Sequence, residues 1–222
     1  PTPGISGGIL GASAGNNLTS INQTLSNPSN INGGSVTYTV TATSAKGCVG
    51  INTRQFTVNV NPSPRLQTVS KSASICSEGV LNHSLLSTVT GTSFTYSANT
   101  GNFNVKPTGT SGSLITDTII NNLDNDSVVV NYTVTLTTPA NCAFNDNLLV
   151  TVHPKPTLNI VNNKTPICSG ESTDIEMTAS TGPGTVFTWP QPVLNGLAGP
   201  VPGSGNTLPF NIIQKIVNTS HS

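Results

Sequence analysis

Charged side chains are scarce in this sequence. They make up 7% of the 222 residues, eight basic and eight acidic, whereas an ordinary soluble protein has about 25%. The net charge is zero, so no electrostatic excess directs the chain to nucleic acid or to an anionic membrane surface. No apolar run approaches the ~20 residues of a membrane-spanning helix, and the first residues lack a signal-peptide pattern. We therefore expect neither nucleic-acid binding nor membrane insertion.

Aromatic residues are also few, at 5%, and serine, threonine and asparagine occur along the whole length. Such a polar composition is typical of disordered chains, but those have few β-branched residues and no periodicity. This sequence is rich in valine, isoleucine and threonine, and it is periodic. It therefore predicts a folded β protein.

Two stretches of the chain repeat each other. Residues 36–64 read VTYTVTATSAKGCVGINTRQFTVNVNPSP, and residues 130–156 read VNYTVTLTTPANCAFNDNLLVTVHPKP. The matching pairs stand 94 or 92 positions apart: Tyr38 with Tyr132, Cys48 with Cys142, and Cys76 with Cys168. A fixed period of about 93 residues indicates a repeat array, and the unit is close to the ~100 residues of an immunoglobulin-like sandwich.

The repeated segments have the pattern of β-strands. Residues 128–136 alternate apolar and hydroxyl side chains, which is typical of a half-buried strand, and 147–152 completes a hairpin. Further strands are predicted at 66–69, 80–89 and 94–97, with a turn at 75–79 and an irregular connection at 98–113. The prolines of 61–64 and 153–156 end strands and form stiff joints. The fold class is therefore all-β, with elongated tandem sandwiches.

Alignment of the ends with the repeat divides the chain into three units. Residues 65–156, the second unit, form the complete repeat. Residues 1–64, the first unit, correspond to the C-terminal part of a repeat, because Pro1 aligns with Pro190 and nothing precedes it that matches 187–189. Residues 157–222, the third unit, correspond to the N-terminal part of a repeat. We therefore expect both ends to interrupt a repeat of a longer protein.

A third segment is shared by all three units. It reads GNNLTSINQTLSN at 15–27, GSLITDTIINNLDN at 112–125 and GNTLPFNIIQKIVN at 205–218. The alignment places Leu25, Leu123 and Ile216 in one position, and Asn27, Asn125 and Asn218 in another. The apolar spacing predicts a strand whose inward side chains fill a core.

Several short motifs occur in a matching order in the units: ICSG, F-T-[YW], YTVT, the cysteine after a small-residue turn, and V-[NH]-P-x-P. This chain resembles the PKD-like repeats of the giant SprB-type surface adhesins of gliding Bacteroidota. The resemblance implies an extracellular repeat of an outer-membrane-attached filament, exported by type IX secretion, that mediates surface attachment and gliding. It implies contacts with neighbouring repeats and with surface polysaccharide or the substratum. It also implies contact with the gliding and secretion machinery through other parts of the protein.

Two cysteines per unit suggest disulfides in an oxidising compartment, with free thiols as the alternative. In an immunoglobulin-like sandwich, Cys76 and Cys142 should lie about 25 Å apart at opposite ends, whereas a disulfide needs Cα atoms within ~7 Å. This favours a bond from the turn of one unit to the hairpin of the next. A Cys76–Cys142 bond within one unit stays open as the second candidate. Pairings of Cys48 with Cys76 or of Cys142 with Cys168 are less favoured.

The resemblance also implies O-glycosylation, because exported proteins of these bacteria carry glycans at Asp-[Ser/Thr]-apolar motifs. Asp117-Thr118-Ile119 and Asp126-Ser127-Val128 match that motif, so Thr118 and Ser127 are the candidate acceptors. Glycans would add solubility to a nearly uncharged surface.

Catalytic and metal-binding patterns are weak. His83, His153 and His221 have no accompanying nucleophile and acid, so we expect no enzyme active site and no cofactor. The oxygen-rich segment 124–126 could attract calcium, but a turn with Asx side chains is the simpler interpretation. The sequence therefore predicts a structural or adhesive repeat. The alternative is a passive stalk or an accessory module of another secreted protein, including an extracellular enzyme.

Overall fold

The structure is a computed structural model and describes residues 2–16, 18–99, 101–107 and 109–220. Pro1 and His221 lie outside these residues. Within them the regular structure is β, with one short 3₁₀ helix at Thr68–Ser70 and no α-helix. This confirms the all-β prediction.

The second unit contains a four-stranded sheet with the order β4-β12-β11-β7. β4 runs parallel to β12, and the other neighbours are antiparallel. β11 and β12 form the long hairpin that the alternating sequence predicted, and their pairing extends from Val128 opposite Val152 to Thr137 opposite Ala143. The strands of this sheet are β4 (Ser72–Cys76), β7 (Ser93–Ala98), β11 (Val128–Thr137) and β12 (Ala143–His153).

A second sheet covers the first and is made of two interrupted strands and one short strand. One interrupted strand consists of β5 and β6, and the other consists of β9 and β10. β5 pairs with β10, β6 pairs with β9, and β8 pairs with the other edge of β10. At the interruption, the Leu81 amide donates a 2.8 Å hydrogen bond to the Asp117 carbonyl. The strands are β5 (Gly79–Val80), β6 (His83–Ser84), β8 (Phe103–Lys106), β9 (Leu114–Ile115) and β10 (Thr118–Asn121).

The core of the second unit lies between these two sheets. Alternate side chains of β11 and β12 point inward, so that Val130, Val134 and Val150 are fully buried. Every member of this buried cluster lies between Leu66 and Val152. The second unit therefore has its own core, as a sandwich of two sheets requires.

The first unit contains a three-stranded antiparallel sheet with the order β1-β2-β3. A small core of Ile9, Val36 and Tyr38 lies on one face of the sheet. The Tyr38 ring stacks on Phe56, with centroids 5.2 Å apart. The strands are β1 (Gly4–Ser6), β2 (Gly34–Thr43) and β3 (Val49–Val60).

The third unit is built from short strands in one three-stranded and two two-stranded sheets. The orders are β13-β14-β18, β15-β17 and β16-β19. Phe210 lies between the rings of Phe187 and Trp189, at 6.4 and 5.6 Å. The strands are β13 (Leu158–Asn162), β14 (Ile175–Ala179), β15 (Phe187–Trp189), β16 (Leu197–Ala198), β17 (Gly203–Gly205), β18 (Phe210–Ile212) and β19 (Val217–Asn218).

Three of the predicted boundaries in the second unit are wrong. Residues 66–69 do not form a strand, because Leu66 makes an isolated bridge to Ser87 and a 3₁₀ turn follows. The predicted strand 80–89 is interrupted where the Asn82 amide bonds back to the Val80 carbonyl at 3.0 Å. The connection predicted to be irregular contains β8, whose four residues are flanked by glycine, asparagine and proline.

Candidate functional site

A buried tyrosine binds a buried carboxylate inside the second unit. The Tyr132 hydroxyl, on β11, donates a 2.9 Å hydrogen bond to Asp117 Oδ2, and these residues are 0% and 2% exposed. Burial raises the pKa of Tyr132, and the hydrogen bond and negative charge of Asp117 raise it further. The pair therefore connects the two sheets through a phenol that stays protonated at neutral pH.

The first and third units have glutamine in place of this aspartate. The Tyr38 hydroxyl donates to Gln23 Oε1 at 2.8 Å. The Gln23 side chain also exchanges two hydrogen bonds with the Ser13 backbone, at 2.9 and 3.1 Å. Gln214 makes the same two bonds with the Val201 backbone, at 2.9 and 3.2 Å. This polar position was missed in the sequence, although it stands two residues before an aliphatic residue in each unit.

A cleft of about 570 Å³ lies beside the tyrosine-carboxylate pair in the second unit. A carboxylate has no N–H to donate to a backbone carbonyl, so Asp117 can only accept hydrogen bonds where the glutamines both donate and accept. The lining combines aromatic rings with amide and carboxylate groups: Tyr96, Phe103, Tyr132, Asn99, Asn104 and Asp117. The three aromatic residues belong to the buried core, at 6%, 8% and 0% exposure, so the amide groups of the asparagines are the more accessible part of the lining.

An asparagine fastens the end of the second unit where β12 ends, which we call the C-terminal pole. The Asn121 amide donates to the carbonyls of Val152 and Asp126 at 3.0 and 2.7 Å, and the residue is 8% exposed. Its backbone N–H donates to Ser77 Oγ at 3.0 Å. The side chain thus joins β10 to β12 and to the loop before β11, and the backbone N–H joins β10 to the turn after β4.

The other units contain the same asparagine, which corrects the sequence alignment. In each, Oδ1 accepts the backbone N–H two residues later: Asn27 from Ser29, Asn121 from Leu123, and Asn218 from Ser220. Asn125, which the alignment placed in this position, lies in the exposed loop beyond it. The spacing from this asparagine to the next tyrosine is the same in the first two units, from Asn27 to Tyr38 and from Asn121 to Tyr132. The segment 123–125 only resembles 25–27 in residue type, which misled the alignment. Asn121 therefore stabilises the turn that contains the segment 124–126, through its bonds to Leu123 and Asp126.

The opposite end of the second unit, which we call the N-terminal pole, joins the first unit. The Thr88 hydroxyl donates to the Asn30 carbonyl of the first unit and accepts the Arg65 backbone N–H at 3.1 Å. The Arg65 guanidinium lies 3.3 Å above the Phe144 ring. The adjoining linker residues Pro62 and Pro64 are buried. This joint is therefore packed on both sides.

Asp146 adds a charged contact at the same pole. Its carboxylate accepts the Leu66 amide at 3.0 Å and pairs with Lys71 at 2.9 Å. Burial by itself raises the pKa of Asp146, but the hydrogen bonds from Lys71, Asn147 and Leu66 outweigh it and hold the pKa below its usual range. The carboxylate thus remains charged and fixes the start of the unit on β12.

At the C-terminal pole, Cys76 pairs with His153 in the β4–β12 register. His153 is held between two serine hydroxyls, Ser127 at 2.8 Å from Nδ1 and Ser74 at 2.9 Å from Nε2. Both ring nitrogens are thus occupied, which leaves none to bond the carboxylate that orients a catalytic histidine. Glu78 and Lys155 form an exposed ion pair across the exit to the third unit.

All four cysteines are free in this structure: Cys48, Cys76 and Cys168 are exposed and Cys142 is partly buried. No disulfide therefore joins any two of these four residues. Cys76 lies beside His153 and Cys142 precedes β12, so the length of that strand, about 36 Å at ~3.3 Å per residue, separates them. A disulfide needs Cα atoms within about 7 Å, so this geometry excludes a Cys76–Cys142 bond within one unit.

The two candidate glycosylation motifs lie in different surroundings. Thr118 is in β10, between β5 and β8, and is partly buried beside the buried Asp117. Ser127 and Asp126 are exposed in the loop before β11. Ser127 is therefore the more accessible acceptor in the folded chain.

Metal ligands are not clustered in the described part of the chain. There, no three histidine, cysteine, aspartate or glutamate side chains are close enough to hold a metal ion.

The profile of the PKD-like domain family matches residues 1–64 and 73–156. The chain belongs to the PKD-like domain family. The match, together with the two sheets that enclose the core of the second unit, agrees with tandem immunoglobulin-like β-sandwich repeats. PKD-like domains are in general non-catalytic modules, and the repeats fit a structural or adhesive extracellular role with contacts between neighbouring units.

Three solved structures show distant similarity to this chain. Mouse clustered PcdhgC3 EC1-3 has 13% identity and a TM-score of 0.31, with 83% of this chain and 76% of that chain covered. Human CDH23 EC21-23 has 11% identity and a TM-score of 0.31, with 100% and 80% covered. Protocadherin Gamma B2 extracellular cadherin domains 1-5 has 15% identity and a TM-score of 0.28, with 86% and 39% covered. Comparison with curated proteins gives no match. In the described residues, no helix has the length and apolar character needed to cross a membrane.

Proposed function

We propose that this chain is a segment of a long secreted filament of the SprB type. The filament is exported by type IX secretion, attached at the outer membrane, and mediates surface attachment and gliding. The observation that carries the proposal is the packed joint between PKD-like units, where Thr88 of the second unit binds Asn30 of the first. Buried linker prolines and a fixed contact favour a stiff row of units over independent beads.

The cleft of the second unit supports an adhesive role in addition to a passive one. Its lining includes the amide groups of Asn99 and Asn104, which can hydrogen-bond to the hydroxyls of a surface polysaccharide. Weak sites repeated along a row would sum by multivalency, so a modest affinity in each unit is sufficient. Neutral sugars also match a chain whose net charge is zero.

Glycosylation of the filament belongs to the same proposal. Ser127 is the preferred acceptor because it is exposed in a loop, whereas Thr118 lies within a sheet. Peptide mass analysis of the protein from its native host tests this. A glycan is expected on the peptide with Ser127, and an unmodified Ser127 would contradict the assignment.

The experiment for the filament role uses antibodies against residues 65–156 on intact cells of the native host. We expect labelled threads on unpermeabilised cells, and we expect surface proteolysis to remove both the label and the attachment to glass. Movement of labelled beads along living cells would add the gliding role. A label confined to the culture fluid, with attachment and movement unchanged after deletion of the gene, would contradict the proposal.

The competing function is that of an accessory module in another secreted protein, including an extracellular enzyme. The full reading frame separates the two functions. A long row of these units is expected for a filament. A catalytic domain beside only a few of them would favour the accessory module.

A further inference from the structure

The two cysteine positions of a unit are fixed by contacts that recur between units. In the hairpins, the Thr138 amide donates to the Cys142 carbonyl at 3.0 Å, and the Ser44 amide donates to the Cys48 carbonyl at 2.9 Å. The backbone N–H of each cysteine returns a 3.1 Å bond to the hydroxyl of that threonine or serine. Each hairpin cysteine thus has the same place at the N-terminal pole.

The turn cysteines are fixed in the same way at the C-terminal pole. After Cys76 the chain turns through Glu78, whose φ is +64°, and after Cys168 it turns through Gly170, whose φ is +93°. The amides of Glu78 and Gly170 each donate a 2.7 Å bond to an isoleucine carbonyl, of Ile119 and Ile216 respectively. A unit therefore carries one cysteine at each pole, in a reproducible geometry.

The joint between the first and second units brings the neighbours of these two positions together. In the second unit, the residue after Cys76 is Ser77, whose hydroxyl binds Asn121 at the start of the loop before β11. The corresponding loop of the first unit begins at Asn27 and includes Asn30, which binds Thr88 across the joint.

On the other side of that joint, the loop of Thr88 packs on the hairpin of Cys142. A Cβ atom added to Gly91 would lie 3.1 Å from Pro139 Cγ, so the two turns are in contact. One continuous set of contacts therefore leads from the turn of one unit, through the joint, to the hairpin of the next.

We propose that each joint is closed by a disulfide between the turn cysteine of one unit and the hairpin cysteine of the next. Cys76 pairs with the cysteine that the following unit has in the position of Cys142. The inference needs only the tandem repeat and stands independently of the adhesive role. Cys76 is exposed and Cys142 partly exposed, so both sulfurs are accessible before the bond forms.

The bond forms by thiol–disulfide exchange with an oxidised dithiol of the extracytoplasmic compartment. One cysteine thiolate attacks the disulfide of the oxidant to give a mixed disulfide, and the second thiolate displaces the oxidant's remaining sulfur. The two cysteines lose two electrons and two protons, and the oxidant's disulfide is reduced to two thiols. A chain of joints closed in this way would resist bending and extension without any new non-covalent contact.

The test uses a tandem of two copies of residues 65–156, because every buried core residue of that unit lies within it. Pro154 and Pro156 then take the places of Pro62 and Pro64 at the joint. The joint variant retains only Cys76 of the first copy and Cys142 of the second, with serine at the other two positions. The matched control retains only the outer pair, Cys142 of the first copy and Cys76 of the second.

Both tandems are incubated in a buffer of oxidised and reduced glutathione and analysed by mass after alkylation. The joint variant is expected to lose two hydrogens, to resist alkylation, and to yield one cross-linked peptide. The outer-pair control should remain fully alkylated. Cleavage within the linker by a protease should be several-fold slower in the oxidised joint variant than after reduction.

Two results would overturn the proposal. The first is a joint variant that stays reduced while its circular dichroism shows a folded β protein. The second is an outer-pair control that oxidises within the molecule as readily as the joint variant. The full chain gives an independent control, because its four thiols have no joint partner within it and should all remain reactive as a monomer.

Discussion

The Tyr132 hydroxyl and Asp117 Oδ2 meet at 2.9 Å in the middle of the second unit, and both residues are almost completely buried. Tyr38 and Gln23 make the corresponding contact in the first unit at 2.8 Å. In the second unit the acceptor is an aspartate, so the hydrogen bond involves a charged group. Both residues of this pair also line the cleft of the second unit. The same contact therefore stabilises the sandwich and borders the candidate binding surface.

Replacement of Tyr132 by phenylalanine should destabilise the second unit by about 1–3 kcal/mol, because a buried carboxylate loses one of its donors. The matched change Tyr38→Phe should cost less, about 0.5–1.5 kcal/mol, because Gln23 is neutral and keeps its two bonds to the Ser13 backbone. Amide hydrogen exchange of β11 and β2 measures each unit separately. If Tyr132→Phe and Tyr38→Phe lowered stability equally, the charge of Asp117 would not strengthen the contact with Tyr132.

The same pair predicts a loss of stability in alkali. The pKa of Tyr132 is raised above 10.0 by burial and by Asp117, and that of Tyr96 is raised by burial and by the charge of Asp117. The unfolded chain therefore releases phenolic protons near pH 10 while the folded chain retains them. The stabilisation is complete below that pH and decreases above it, by up to about 1.4 kcal/mol per pH unit for Tyr132.

Urea titrations between about pH 9 and pH 11 check this expectation. The unfolding midpoint of the chain should fall with pH, and tyrosinate absorbance should rise together with unfolding. In Tyr132→Phe the dependence on pH should be shallower. A midpoint that does not change over this range would show that the phenol is not protected.

The sequence predicted the repeat because segments about 93 positions apart match directly, and it predicted the long hairpin because that signal is local. Alternation in 128–136 is visible in a single stretch of chain, and β11 and β12 follow it. The short strands β5, β6, β8 and β9 give no such signal, because two to four residues cannot show a period. Their positions depend on contacts with distant residues, such as that of Leu81 with Asp117.

The candidate site was predictable only in part, for the same reason. The separation of Cys76 from Cys142 followed from strand direction alone, and the β4–β12 register agrees with it. The partner of Tyr132 is Asp117, 15 positions away on the opposite sheet, and no spacing rule connects them. Sequence similarity also placed Asn125 where the structure has Asn121, because the second unit has an aliphatic-x-Asn triplet at 119–121 and another at 123–125.

Asn121 gives a third prediction. In Asn121→Asp a carboxylate replaces the amide that donates to the Val152 and Asp126 carbonyls, so like partial charges face each other. We expect a loss of about 3 kcal/mol at neutral pH, and little change for the exposed neighbour in Asn122→Asp. In acid the protonated carboxyl donates again, and the deficit of Asn121→Asp should narrow. A deficit independent of pH would contradict the donor role.

Gly199 gives a fourth prediction, which concerns the third unit. Its φ is +114°, and a Cβ atom would lie 2.0 Å from the Lys215 carbonyl oxygen. Gly184 has a similar φ of +101°, but no atom lies within 4 Å of its Cβ position. Gly184→Ala should therefore cost about 1 kcal/mol from backbone strain, whereas Gly199→Ala should cost about 3 kcal/mol from strain and collision.

Trp189 is the single tryptophan of the chain and measures this difference directly. Its indole N–H donates to the Val201 carbonyl at 3.0 Å, two residues beyond Gly199. Denaturation followed by its fluorescence reports on the third unit alone. Equal midpoints for Gly199→Ala and Gly184→Ala would mean that the close approach of the two backbone segments has no influence on stability.

Thr88 gives the last prediction, because its hydroxyl connects both sides of the joint. It donates to the Asn30 carbonyl and accepts the Arg65 amide. Thr88→Val keeps the shape of the side chain but removes both bonds, so the first two units should move more freely against each other. Thr88→Ser keeps the hydroxyl and should behave like the natural chain. The expected loss is about 1 kcal/mol of joint stability, which leaves the core of each unit intact.

Small-angle X-ray scattering of the three chains measures the stiffness of the joint. The maximum dimension should vary more widely in Thr88→Val, and exchange of the Leu66 amide, which Asp146 holds at the same pole, should accelerate. Amide exchange in β11 should be unchanged in all three chains, because its core contacts lie away from the joint. A valine variant as stiff as the serine variant would mean that the buried prolines alone hold the two units in line.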